Sequence, residues 1–150
     1  MIPAEILPET LDFAAIFGND RPVEMEIGCG KGGFLLAQAQ AHPDRNYFGL
    51  EWASYYFKLI GRRIAARGLL NARICRADAR RVMLFQTPPG SLAALHIYHP
   101  DPWPKTRHHK RRLIQKDFVD AAVAALAPGA RWAFQTDHQG YYQAVEMLLV

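Results

Sequence analysis

Asp101 sits between three prolines and beside an indole, in Pro100-Asp101-Pro102-Trp103-Pro104. A cationic run follows: Lys105 to Arg112 holds five Lys/Arg, two His and no acid. Each proline fixes its own φ and disfavours the helical region for the residue before it. The loop is therefore stiff, and it holds Asp101 and Trp103 in nearly fixed places. A carboxylate so constrained beside clustered cations suggests a preorganised site next to a phosphate-contacting surface. A second group of residues stands near the start of the chain. Gly28-x-Gly30-x-x-Gly33 matches a nucleotide-binding turn, with Glu26 two residues before it and Glu51 about twenty after it.

The elements that position these groups alternate. Val23–Ile27, Tyr47–Leu50, Ala72–Ala77, Leu92–Tyr98 and Arg131–Gln135 read as strands. Helical patterns separate them at Phe34–Ala41, Ser54–Arg67, Ala79–Phe85 and Arg112–Leu126, and Gln139–Val150 closes the chain. Gly68 is the expected C′ residue of the second helix, and Pro128-Gly129 the stop of the fourth. This alternation predicts one α/β domain over residues 1–150, with a mostly parallel sheet and helices on both faces. Glu51, Asp78, Asp101 and Asp137 each follow a strand, and Glu26 lies near the end of its own. Ligands of open α/β sheets bind outside the carboxyl ends of the strands. An acid after each strand predicts a ligand rich in donors or carrying positive charge.

Composition sets further bounds. The net charge of +4 divides unevenly, with −4 over residues 1–60 and +8 over residues 61–150. A basic second half suits a polyanionic partner. No apolar run approaches a membrane span, and the N-terminus lacks a signal-peptide pattern. Cys29 and Cys75 form neither a metal pattern nor a disulfide framework, so a cytoplasmic protein without a metal site is expected. His96 and His99 lie three apart on a strand and face opposite sides.

Two cofactors share the glycine turn. NAD needs its diphosphate at a helix N-terminus, where the Glu26 carboxylate would repel it. S-adenosylmethionine carries an ammonium and a sulfonium, which Glu26 suits. Glu51 can accept from ribose hydroxyls, and Asp78 is placed for an adenine amino group. S-adenosylmethionine is therefore favoured over NAD.

Several motifs resemble those of the tRNA (guanine-N7)-methyltransferases, class I S-adenosylmethionine-dependent enzymes with a Rossmann-like fold. They are Glu26-Ile27-Gly28-Cys29-Gly30-Lys31-Gly32, Gly49-Leu50-Glu51, Asp78-Ala79, Pro100-Asp101-Pro102-Trp103-Pro104-Lys105 with Arg107-His108-His109-Lys110-Arg111-Arg112, and Thr136-Asp137. The resemblance runs from about Pro22 to Tyr142. It implies methyl transfer to N7 of a guanosine in the tRNA variable loop, at position 46. It also implies that Glu26, Gly28, Gly30, Glu51, Trp52, Asp78, Ala79 and Asp101 line the cofactor site. Asp101 corresponds to the catalytic acid, and Lys105 and Asp137 to substrate-contacting residues. Arg107, Arg111 and the neighbouring cations, Lys110 and Arg112, are expected on phosphates. The family's fold has two further strands, which this chain would lack. The fifth strand is then expected at an open edge, completed by a missing part, a partner or a second copy in a homo-oligomer. The alternative function is an RNA-binding relative with little turnover.

Overall fold

The computed structural model describes residues 1–150. Five parallel strands form one sheet: β1 (Val23–Ile27), β2 (Asn46–Leu50), β3 (Ala72–Cys75), β4 (Leu92–Tyr98) and β5 (Leu126–Gln135), in the spatial order β3-β2-β1-β4-β5. The chain moves outward from β1 to β3, then returns to lay β4 on the other side of β1. That reversal opens a crevice beyond the carboxyl ends of β1 and β4, where the glycine turn and the Asp101 loop emerge side by side.

The helices are α1 (Phe13–Phe17), α2 (Gly33–Ala41), α3 (Ser54–Ala66), α4 (Ala79–Arg81), α5 (Lys116–Ala125) and α6 (Gln139–Leu149). Parallel strands covered on both faces must be apolar on both, and β1, β2 and β4 are mostly buried. The smaller core lies under α2 and α3, with Leu35, Tyr47, Phe57, Ile60 and Ile74. The larger, with Met25, Phe48, Leu95, Phe118 and Tyr141, gathers α1, α5 and α6. Apolar side chains recurring at helical spacing explain α3, and its end is a glycine cap. Gly68 has φ 62°, its N–H donates to Ala65, and Leu69 N–H donates to Ile64. No helix is long and apolar enough to cross a membrane.

β3 ends at Cys75, two residues before the expected Ala77, and three other boundaries differ more. The segment Thr106–Arg111 is a 3₁₀ turn, and α5 begins only at Lys116. The Ala79 segment is helical over three residues and then widens into a π-turn over Val82–Gln86. The helix predicted through Leu126 stops at Ala125, because Leu126 already pairs with Leu92. The ladder resumes at Arg131 opposite Ala94, and residues 127–130 bulge out around Gly129, at φ 77°. The outer edge of β3 is bridged by Ile2, which exchanges backbone bonds with Ile74 and Arg76. β5 is the other edge, as expected. Beside it Trp132, Phe134, Tyr142, Val145 and Leu149 line an apolar groove, and Met147 and Val150 are exposed.

Candidate active site

The glycine turn is built by three left-handed residues, Gly28, Gly30 and Gly32, at φ 75°, 54° and 83°. Close packing falls on Gly32, where a Cβ would come within 2.8 Å of Ile60. Gly33, the last glycine of the dinucleotide pattern, has open space there. Glu51 closes the turn: its Oε2 accepts from the Gly30 amide at 2.8 Å and its Oε1 from the Ala53 amide at 3.1 Å. The carboxylate retains lone pairs for further donors.

Glu26 is almost fully buried, and its Oε2 has no hydrogen-bond partner. Burial pushes its carboxyl up to about 7. The Cys29 thiol opposes this, the Glu51 carboxylate adds to it, and the Leu35 amide opposes it. Leu35 lies in the first turn of α2. A carboxylate therefore faces the helix terminus where a diphosphate would have to sit. A buried acceptor without a donor is costly, and a cationic ligand would relieve it. This unsatisfied acceptor thus fits the ammonium of S-adenosylmethionine and disfavours NAD.

A cavity of about 390 Å³ adjoins the ends of β2 and β3, lined in part by Trp52, Ala77, Asp78 and Arg81. Asp78 caps the Ala79 turn, its Oδ1 accepting from Arg80 N at 2.9 Å and Arg81 N at 3.3 Å. Ala79 is half-buried against the larger core. An indole and a carboxylate in its lining are groups that suit an adenine ring.

The Asp101 loop is pinned from several sides. His99 and Trp103 have φ 52° and 43°, uncommon for residues with a side chain, and each precedes a proline. His99 N donates to Gln135 O at 2.7 Å. The buried Arg112 donates its Nε to Pro102 O at 2.7 Å and lies over the Tyr141 ring at 4.7 Å. Asp101 itself is exposed, as are Lys105, Arg107 and Arg111. Half-buried Trp103 meets His108 edge-on, and the Arg111 guanidinium lies over it at 5.0 Å. Asp137 is exposed just after β5, where Thr136 Oγ1 accepts from His138 N.

Gly30 and Glu51 are thus joined, with the Glu26 carboxylate close enough to feel Glu51; Trp52 and Asp78 share a cavity, and Asp101 and the cations form a separate exposed group. Arg112 departs from expectation, since it is a buried pin and not a phosphate contact. Sequence reasoning also missed a polar chain beneath the crevice, centred on the buried His96. His96 Nε2 lies 2.8 Å from Glu24 Oε2, and His96 Nδ1 lies 2.8 Å from the Tyr98 hydroxyl. Arg45 donates to the other Glu24 oxygen at 3.2 Å. Burial lowers the His96 pKa, against the pull of Glu24. Neutral His96 then donates from Nε2 to the carboxylate and accepts the Tyr98 proton at Nδ1. Alternation was the available signal. Glu24 and Glu26 share one face of β1, as His96 and Tyr98 share one face of β4.

A family model described as "Putative methyltransferase" matches residues 20–149. The tRNA (guanine-N(7)-)-methyltransferase of Hydrogenovibrio crunogenus is 40% identical over 140 residues, covering 93% of this chain and 58% of that protein. That of Geobacter metallireducens is 41% identical over 130 residues, covering 87% of this chain and 62% of that protein. The chain therefore spans about three fifths of the length of these curated relatives. A solved SAM-dependent O-methyltransferase from Thermotoga maritima shares the fold. Its TM-score is 0.64 at 18% identity, over 97% of this chain and 52% of that one.

Proposed function

This chain belongs to the methyltransferase family whose model spans residues 20–149, and we propose that it methylates N7 of a guanosine in the tRNA variable loop, using S-adenosylmethionine. The observation that carries this reading is Glu26, a buried carboxylate with an unpartnered oxygen facing the first turn of α2. It supports a cationic cofactor. The relatives at about 40% identity, named for the tRNA reaction, support the substrate.

In this reading Glu26 takes the ammonium, Glu51 the ribose hydroxyls and Asp78 the adenine amino group. Gly28 and Gly30 let the backbone approach the ligand. Trp52 borders the cavity that takes the adenine, and Ala79 follows Asp78 at its edge. S-adenosylmethionine, when bound, supplies a methyl group activated by its sulfonium. Guanine N7 offers a free lone pair, so no residue has to remove a proton there. The protein's task is alignment. Asp101, held by the pinned loop, accepts from the guanine edge and offsets the positive charge that methylation leaves on the purine. Trp103, stacked with Arg111, borders the base. Lys105, Arg107 and Arg111 neutralise phosphates, and Asp137 contacts the substrate from the end of β5.

The same reading puts the protein in the cytoplasm, beside tRNA, with Cys29 and Cys75 buried and free. It also lets the open β5 edge and its apolar groove pair with a second copy. Light scattering would test that pairing through a dimer mass. The function is tested by incubating labelled cofactor with unmodified tRNA and identifying the modified nucleoside. 7-Methylguanosine is expected; bound cofactor and bound tRNA without product would refute the reading.

A further inference from the structure

If the strip after β4 anchors RNA, the opposite side of the crevice carries a second surface of the same kind. Trp52 follows β2 and is 62% exposed. The Arg76 guanidinium lies over its ring at 5.3 Å, and Arg76 Nε donates to the Trp52 carbonyl at 3.1 Å. Helix α3 starts two residues later. Phe57, Ile60 and Gly61 turn into the core. Tyr55, Lys58 and Arg62 recur at helical intervals on the outer face, and all three are exposed. Tyr55 is 69% exposed.

The charges here have little internal compensation. From Lys58 to Arg81 the chain carries eight Lys/Arg and one acid, Asp78. Of the eight, only Arg80 pairs with a carboxylate, that of Asp117. Arg62, Arg63, Arg73 and Arg76 donate to backbone carbonyls, which fix the side chains without cancelling their charge. Lys58 and Arg62 are like charges four apart, an arrangement that weakens an isolated helix. Folding explains neither the exposed Tyr55 ring nor the uncancelled cations. Aromatic faces among cations are what unpaired bases and their phosphates require.

We infer that Tyr55, Lys58, Arg62 and Arg76, beside the Trp52 edge of the cofactor site, form a second RNA-binding surface, which takes a segment of the same tRNA away from the guanosine being methylated. The inference rests on the proposed function. Strand order supports the separation, since β2 and β4 flank β1 on opposite sides. Two anchors astride the crevice would select a folded RNA that spans both.

The test titrates full-length unmodified tRNA, and an isolated variable-loop hairpin, into wild-type protein and Lys58→Ala/Arg62→Ala over a salt series. Calorimetry with S-adenosylmethionine checks that the cofactor site is intact. The double variant should bind full-length tRNA about tenfold more weakly at about 0.1 M salt, with a log–log salt slope shallower by about 1.8. Tyr55→Ala should lose about fivefold. The hairpin should bind all three proteins alike. Unchanged affinity and slope for full-length tRNA would overturn the inference, as would equal losses for the hairpin. Intact RNA binding with release of an acidic protein or of a second copy would make the face a protein interface and also overturn it. Wild-type protein that binds no tRNA would sink the proposed function and this inference together. Binding that Arg107→Ala weakens but Lys58→Ala/Arg62→Ala does not would sink the inference alone.

Discussion

The glycine turn after β1 and the proline loop after β4 emerge next to each other and are held in opposite ways. The turn itself is partly exposed, but Glu26 at its entry is buried, and its acids are tied to or face backbone amides: Glu51 to Gly30 and Ala53, Glu26 toward the start of α2. The loop leaves Asp101 exposed and relies on pins, namely Arg112 on Pro102 and left-handed backbone at His99 and Trp103. The first arrangement stores electrostatic tension that a cation relieves. The second keeps a carboxylate hydrated until a base covers it, and spends its contacts on placement. One region is tuned for a small cationic cofactor, the other for a large substrate that brings its own charge.

The two regions part most sharply at Asp101. Asp101→Ala should lower methyl transfer at least about 100-fold. It should leave the melting temperature within about 2 °C, because the side chain is exposed. Matched activity and stability assays check this.

Glu26→Gln should show the opposite signature. The folded carboxyl is raised above the 4.5 of the unfolded chain to about 7. Its contribution favours folding below about pH 4.5 and is lost as pH rises through 7. At pH 8 the charged form therefore costs about 3 kcal/mol. The variant should be more stable at pH 8 by about 1–3 kcal/mol in denaturant unfolding, yet bind S-adenosylmethionine at least about tenfold more weakly. Loss of stability together with unchanged binding would erase the contrast between the two regions.

Arg112→Met keeps the buried stem but removes the bond to Pro102, and should cost about 2 kcal/mol. Turnover should fall while cofactor affinity holds, which single-turnover kinetics and calorimetry separate. Arg107→Ala, on the exposed strip, should only reduce the salt slope of tRNA binding by about 0.9. A loss of cofactor affinity in that variant would mean that the two regions are not separable.

Much of this was readable from residue order. Alternating apolar runs and glycine stops predicted the five strands and the Gly68 cap, and acids after strands marked the crevice. The boundary around Pro128-Gly129 was misread because those residues serve a bulge in β5 as well as a helix stop. Arg112 looked like one cation among five. Its burial depends on Tyr141 and Pro102, which only the fold brings together. The Glu24–His96–Tyr98 chain was hidden for a related reason. A lone strand shows which residues share a face but not which strand lies beside it, and β1 and β4 are far apart in sequence.

The most direct measurement is calorimetric titration of S-adenosylmethionine, and separately of NAD, between pH 6 and pH 8. Binding of S-adenosylmethionine should strengthen roughly tenfold per pH unit below 7 and level off above it, as the Glu26 carboxyl ionises; NAD should not bind. Preference for NAD, or an affinity for S-adenosylmethionine indifferent to pH and to Glu26→Gln, would contradict the account.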